Sequence, residues 1–257
     1  MSALRIAEYP SPNYDTRTRA IDLVVLHYTG MQNAEIALAR LCDPEPRAGK
    51  YPGPWQDADI DPEASLGRAS AHYVVDELGA IYRLVPEGER AWHAGVSTWE
   101  GEGDVNSRSI GIEIVNGGHD FGLPDFPLVQ VDAVIVLLHD ILARWNLEPS
   151  RVVAHSDIAP ERKMDPGEKF PWKRLAQARV SIWPEFVAMQ ADASPDIALV
   201  QRQLRAFGYG VTETGALDGA TRAALEAFQR RFRPARIDGA ADEGTQMLLR
   251  SLVLAVS

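Results

Sequence analysis

The sequence predicts an α/β fold, with a central mixed β-sheet flanked by helices, followed by a small three-helix domain. Two patterns carry this prediction. Short β-branched, apolar runs alternate with helical periodicity through the first 155 residues, whereas residues 194–257 show helical periodicity alone. A chain of 257 residues, with 46% hydrophobic and 24% charged residues, can bury such a core.

The first elements are a strand, a helix and a hairpin. Residues 21–27 form an apolar run that ends at Tyr28-Thr29-Gly30, which predicts a buried strand, and residues 33–41 have helical spacing. Residues 70–75 and 80–85 are β-prone runs around a short turn that contains Gly79, which predicts a hairpin.

The next elements complete the sheet. Residues 109–116 alternate, so Ile110, Ile112 and Ile114 are predicted to share one face and Glu113 the other. Apolar residues recur at helical spacing over 130–145, and a short buried strand is predicted over 151–154.

The last 64 residues predict three helices, over 196–207, 220–232 and 241–254. Ser194 is the expected N-cap of the first helix, with Pro195 at its first position. A faint repeat places Asp218 and Asp238 in turns before the other two helices, where each aspartate is expected to cap the helix that follows.

Bulk properties exclude several classes of protein. A net charge of −10 argues against nucleic-acid binding, and one cysteine, Cys42, excludes an intramolecular disulfide. The sequence shows no apolar run of about 20 residues, the length of a membrane span, and no secretory signal pattern. We therefore expect a cytoplasmic protein without a membrane span; the oligomeric state does not follow from the sequence.

Residues 155–165 contain the strongest chemical signal. His155 follows a predicted strand, and Asp165 lies ten residues later, two after Lys163. Imidazole nitrogen and carboxylate oxygen suit Zn²⁺, and a catalytic zinc site has three protein ligands and an open position. The third ligand must lie elsewhere, and His27 also stands at the end of a buried strand.

The remaining histidines differ in their expected roles. His139 and His119 are expected to be solvated, and His72 to be buried with satisfied hydrogen bonds. His93 lies in a loop and fits a structural role or a substrate contact equally well.

Five motifs together resemble the zinc-dependent N-acetylmuramoyl-L-alanine amidases of the AmpD type, in the family's order over about residues 20–180. These motifs are Leu26-His27-Tyr28-Thr29, Ser70-Ala71-His72-Tyr73, Arg90-Ala91-Trp92-His93-Ala94-Gly95, Ser109-Ile110-Gly111-Ile112-Glu113-Ile114, and His155-Ser156-Asp157-Ile158-Ala159 with Lys163-Met164-Asp165-Pro166-Gly167.

The resemblance implies Zn²⁺ held by His27, His155 and Asp165, with Glu113 as the catalytic carboxylate and Lys163 beside the developing oxyanion. Such a site would hydrolyse the amide between N-acetylmuramic acid and L-alanine. Candidate substrate contacts are His93, Trp92 and Arg108.

The resemblance also defines the domains. Residues 1–185 would form the zinc amidase domain, and residues 194–257 resemble a helical peptidoglycan-binding domain, with a basic cluster at Arg230, Arg231, Arg233 and Arg236. Residues 44–69 look inserted relative to the compact family pattern, and we expect them to border the active-site groove.

Three settings remain possible. The favoured one is peptidoglycan recycling in the cytoplasm, with soluble muropeptides of the 1,6-anhydro form as substrate. The alternatives are an envelope or exported amidase that acts on intact peptidoglycan, periplasmic or exported by a route without a classical signal, and a non-catalytic muropeptide receptor.

Overall fold

The computed structural model describes residues 4–52, 61–184 and 195–256. The strands in this part of the chain are β1 (Ile6–Glu8), β2 (Tyr14–Thr16), β3 (Leu23–Tyr28), β4 (Tyr73–Val75), β5 (Ile81–Arg83), β6 (Glu89–Ala91), β7 (Ser109–Ile114) and β8 (Val152–Ala154). The α-helices are α1 (Ala34–Leu41), α2 (Val105–Arg108), α3 (Leu128–Trp145), α4 (His155–Ile158), α5 (Trp172–Gln177), α6 (Ile197–Phe207), α7 (Gly219–Phe232) and α8 (Glu243–Val256).

Six strands form one mixed sheet, in the order β1-β5-β4-β7-β3-β8. Neighbours β4, β7, β3 and β8 run parallel, whereas β4 and β5 form an antiparallel hairpin. The predicted mixed sheet with flanking helices is therefore confirmed. Because β7, β3 and β8 are parallel, their carboxyl ends meet at one edge of the sheet, which is where open α/β sheets bind ligands.

The two faces of the sheet are covered by different parts of the chain. Ile110, Ile112 and Ile114 share a core with the long helix α3, as the alternation in β7 predicts. The other face presents Leu23, Val25 and Val153, which share a core with helices α6 and α7 through residues such as Leu204 and Phe228.

The C-terminal helices thus form part of the main core. Their interface with the sheet buries Trp99, whose ring meets those of Phe207 and Tyr209 edge-on at 5.9 and 5.4 Å between centroids. The three predicted helices are present, and they share the apolar core on this face of the sheet. The predicted domain boundaries at residues 185 and 194 lie outside the described residues, and they stay predictions.

The caps of these helices correct the sequence predictions in two places. Asp196 caps α6 by accepting a hydrogen bond from the Leu199 amide; the predicted cap, Ser194, lies outside the described residues. Asp218 caps α7 as predicted. Before α8 the Thr245 amide donates to Asp242, whereas Asp238 accepts from Ala240 and from Gln229, so the prediction for Asp238 was wrong.

The described parts of the 44–69 insertion fold against α1. Asp43, just before the insertion, accepts hydrogen bonds from Lys50 and Tyr51, both at 2.6 Å, and Arg40 donates to the Gly67 carbonyl at 2.6 Å. Among the helices in the described ranges, none has the length and apolarity to cross a membrane.

Candidate active site

Three functional side chains lie at the ends of adjacent parallel strands. His27 in β3 is the register partner of Glu113 in β7, and Leu26 is the partner of Ala154, the residue before His155. Register partners in a sheet point to the same face. His27, Glu113 and His155 therefore share one face at the carboxyl edge, and the loop that follows α4 brings Asp165 to it.

The atoms of His27, His155 and Asp165 converge on one point. His27 Nδ1 lies 2.9 Å from His155 Nδ1 and 2.9 Å from Asp165 Oδ2, and the third side of this triangle is 3.0 Å. A tetrahedral site with bonds of about 2.0–2.1 Å would separate its ligand atoms by roughly 3.3 Å. The three buried side chains are the group in the described structure that could hold a metal ion.

The charges of this triad also suit a divalent cation. Burial, reinforced by His155, lowers the pKa of His27 to about 4, so its imidazole is neutral at physiological pH. Burial alone would raise the pKa of Asp165, but the two histidines outweigh it and hold that pKa well below its usual range. One carboxylate and two imidazole nitrogens are a donor set that fits Zn²⁺.

Glu113 is the next functional side chain at this edge of the sheet. Its Oε2 atom is buried and accepts no hydrogen bond within the described structure. Burial and the negative charge of Asp165 raise the pKa of Glu113 well above its usual range, while Lys163 opposes that shift. A carboxylate poised in this way can take up and release a proton.

A cavity of about 420 Å³ joins the triad to Glu113 and Lys163. Its wall also includes Arg40, Arg162 and Ala69. Ala69 is the last residue of the insertion, so the prediction that this segment borders the groove holds at that residue. Neither Arg40 nor Arg162 could be predicted from the sequence, because an isolated arginine carries no signal without its neighbours in space.

The three candidate substrate contacts have different positions. His93 lines the cavity, but its Nδ1 also lies 3.0 Å from Nε2 of His27, behind the triad. Trp92 is half-buried under the guanidinium of Arg68, 4.9 Å from its ring centroid, and is not part of the cavity wall; its substrate role stays a prediction.

The prediction for Arg108 was wrong. Its guanidinium is buried, forms an ion pair with Asp22 and donates to the Trp99 carbonyl at 3.0 Å. Arg108 precedes β7 and Asp22 precedes β3, so this pair lies at the amino edge of the sheet, at the opposite end of the strands from Glu113. It stabilises the sheet and does not reach the cavity.

The other histidines also have defined surroundings. His72 is fully buried and accepts a hydrogen bond from the Gly111 amide at 2.9 Å, as expected for a satisfied histidine. His139 is exposed, as predicted. His119 is half-buried between the Tyr28 hydroxyl and Glu168, each at 3.0 Å, so the prediction that it is solvated was wrong.

Comparisons with known proteins agree with this geometry. Residues 17–168 match the N-acetylmuramoyl-L-alanine amidase family, and residues 193–249 match a putative peptidoglycan-binding domain. The chain is 34% identical to the N-acetylmuramoyl-L-alanine amidase AmiD of Escherichia coli (strain K12), over 96% of this chain and 90% of AmiD.

Two solved structures share the whole architecture. A complex of E. coli AmiD with the substrate anhydro-N-acetylmuramic acid-L-Ala-D-gamma-Glu-L-Lys superimposes with a TM-score of 0.75 at 34% identity, covering 94% of this chain and 92% of AmiD. AmpDH3 from Pseudomonas aeruginosa, in complex with anhydromuramic pentapeptide, gives 0.76 at 32% identity, covering 95% and 97%.

The geometry of the site and the two domain matches indicate the same family. This chain belongs to the N-acetylmuramoyl-L-alanine amidase family and carries a C-terminal domain of the peptidoglycan-binding type.

Proposed function

We propose that the chain is a zinc amidase of peptidoglycan recycling, which hydrolyses the amide between 1,6-anhydro-N-acetylmuramic acid and L-alanine in muropeptides. One observation carries this proposal. The same cavity is lined by three side chains that could bind a metal ion, by Glu113 with its unpaired Oε2 atom, and by Lys163. The anhydromuramyl peptides bound to AmiD and AmpDH3 support the substrate class.

His27, His155 and Asp165 would hold the zinc ion. Zinc supplies a hydroxide-like nucleophile from water at neutral pH and polarises a carbonyl. The chain contributes the orientation of the donors. Burial lowers the pKa of His27 to about 4 and so keeps its imidazole neutral, and the two histidines hold the pKa of Asp165 well below its usual range.

Glu113 would move the proton that the reaction requires. Amide hydrolysis takes a proton from water and delivers one to the departing nitrogen of L-alanine. The free Oε2 atom of Glu113 can accept the first and then donate it to the amine, a role worth about 10²–10⁴-fold in rate. The raised pKa of Glu113 makes its protonated form accessible between these two steps.

Lys163 would stabilise negative charge on the former carbonyl oxygen. Its side chain lines the same cavity and lies two residues before Asp165. An ammonium group is a donor for the tetrahedral oxyanion, and loss of one such donor costs about 10²–10³ in rate.

A second candidate is an amidase that acts on intact peptidoglycan. The match of residues 193–249 to a peptidoglycan-binding domain favours it. Both candidates use the same residues, and they differ only in the glycan that enters the cavity.

The test measures bound zinc and, in one assay, the L-Ala peptide released from anhydro-muropeptides and from purified sacculi. We expect about one zinc per chain and faster release from anhydro-muropeptides; preference for sacculi would favour the second candidate. Bound muropeptide without any release would indicate a receptor. The cytoplasmic location stays a prediction, which fractionation of the producing cells tests.

A further inference from the structure

The loop that contains His93 and Ala94 contacts both histidines of the triad from behind. His27 Nε2 lies 3.0 Å from His93 Nδ1, and His155 Nε2 lies 3.1 Å from the Ala94 carbonyl oxygen. In both cases the contact is made by the ring nitrogen that faces away from the metal-binding point. Two adjacent residues of one loop thus serve both imidazoles.

The hydrogen bonds behind His93 determine which of its nitrogens carries a proton. The Val105 carbonyl can only accept, so the Ser109 hydroxyl, 2.5 Å away, must donate to it. A hydroxyl has one proton, and Ser109 Oγ must therefore accept from His93 Nε2 at 3.3 Å. His93 is then protonated on Nε2.

The tautomer of His93 determines that of His27. His93 faces the rings of His27 and His72, with centroids 5.1 and 5.7 Å away, and a second proton on it would place positive charge among imidazoles. Its Nδ1 is thus an acceptor, and His27 Nε2–H donates to it. A neutral His27 then has its lone pair on Nδ1, the atom that points at Asp165.

His155 is also protonated on Nε2, and one hydrogen bond is enough to show it. The Ala94 carbonyl can only accept, so His155 Nε2 must carry the proton and its Nδ1 the lone pair. The same carbonyl oxygen also accepts from Arg162 at 2.9 Å.

One side chain holds this loop in place. The Oδ1 atom of Asn106 accepts hydrogen bonds from the amides of both His93 and Ala94, at 3.0 and 2.7 Å. Asn106 is buried in α2, one turn before the strand that carries Glu113.

Gly111 allows the close approach of the His93 ring to that strand. A Cβ atom on Gly111 would lie 2.4 Å from His93 Cγ, which no real contact permits. The glycine in the middle of β7 is therefore explained by the space that the ring requires.

We propose that His93 and Ala94, held by Asn106, are positioning residues that set the tautomers of both histidine ligands, so that each presents its Nδ1 lone pair to the metal. This inference rests on the metal site of the proposed function. Partners of this kind typically change metal affinity by about 10–100-fold when they are removed.

The first test compares zinc affinities of full-length variants by competition with a chelator. His93→Leu removes the acceptor and should weaken zinc binding by about 10–100-fold. His93→Asn keeps an oxygen near the position of Nδ1 and should retain most of the affinity. Ser109→Ala should also weaken binding, whereas Ser11→Ala, at an equally buried serine that donates to the Leu41 carbonyl, should not. Zinc affinities of His93→Leu and Ser109→Ala equal to that of the wild type would overturn the inference.

A second measurement needs no variant. Nitrogen-15 NMR of the imidazoles in the zinc-loaded wild-type protein should show His93 protonated on Nε2 and not on Nδ1. A proton on His93 Nδ1 would overturn this inference alone, whereas a wild-type protein that binds no zinc would overturn the metal site and the proposed function with it.

Discussion

Arg231 in α7 and Asp157 in α4 form an ion pair of 2.5 Å in which both side chains are almost fully buried. Asp157 lies two residues after His155, and its carboxylate also accepts from the Ala154 amide at 2.8 Å and from the Tyr209 hydroxyl at 2.6 Å. The C-terminal domain thus supplies two of these three partners of a carboxylate that lies beside His155, a proposed metal ligand.

Removing Arg231 should destabilise the chain strongly. Arg231→Met leaves a buried carboxylate without its cation, which typically costs about 3–5 kcal/mol. Urea unfolding of the full chain measures this loss. Arg236→Met is the control: that side chain is 56% exposed, and its surface ion pairs should contribute about 0–1 kcal/mol. A loss below that of the control would contradict the role given to Arg231.

Substitution of Glu113 should separate catalysis from metal binding. Glu113→Gln keeps the shape of the side chain but cannot take a proton, so we expect loss of at least about 10²-fold in turnover with zinc still bound. Zinc content and peptide release, measured on the same sample, check this. Turnover within tenfold of the wild type would remove Glu113 from the mechanism.

The pH dependence of kcat/KM should report the same carboxylate. Glu113 acts as a base only when ionised, so activity should fall as the pH drops through its pKa. Burial and Asp165 raise that pKa, so the midpoint of the fall in kcat/KM at low pH should lie above the usual glutamate pKa of about 4.3. A midpoint at or below that value would show that Glu113 is not the titrating base.

Loss of the Lys163 ammonium should lower the catalytic rate without changing the zinc affinity. Lys163→Met should lower kcat by about 10²–10³-fold at nearly unchanged zinc affinity, because the ammonium acts on charge that develops in the transition state. Lys169→Met is a matched control, since that lysine is exposed and forms a surface ion pair with Asp125. Equal activities of the two variants would contradict the assignment.

Deletion of residues 44–69 should change which substrates react. Ala69 lines the cavity and Arg40 donates to the Gly67 carbonyl, so the last residues of the segment lie at the cavity wall. We expect the deletion either to broaden the range of glycans that are cleaved or to abolish activity. Unchanged rates on both anhydro-muropeptides and sacculi would show that the segment does not limit access.

Asp43 should make the anchoring of this segment sensitive to acid. Burial raises the pKa of Asp43, but hydrogen bonds from Lys50 and Tyr51 outweigh it and lower the pKa to about 2, below the unfolded value of about 3.9. Its stabilisation is therefore complete above about pH 4 and is lost as the pH falls toward 2. Free energies of unfolding for wild type and Asp43→Asn should differ at pH 6 and converge as the pH falls to about 2. A difference independent of pH would contradict this.

The sequence was sufficient for the parts of the site that depend on strand ends. His27 and His155 each stand at the end of an apolar run, Glu113 lies on the polar side of an alternating strand, and parallel pairing brings these positions together. The pairing of Arg231 with Asp157 could not be predicted, because it joins residues 74 positions apart through tertiary packing.

Asn106 and Arg108 show the same limit at shorter range. Both precede β7 in one short helix, and nothing in their spacing shows that Asn106 holds the loop behind the triad while Arg108 pairs with Asp22 at the far edge. The direction of each side chain decides its role, and that direction depends on contacts with residues distant in sequence.

The core shared by the sheet and the C-terminal helices has a geometric consequence. Leu23, Val25 and Val153 pack against those helices on the same face that presents His27 two residues further along β3. A wall fragment held by the C-terminal helices would consequently meet the catalytic cavity at a fixed distance and angle, so the spacing between the bound and the cleaved part of a polymer would be set by the packing of apolar side chains.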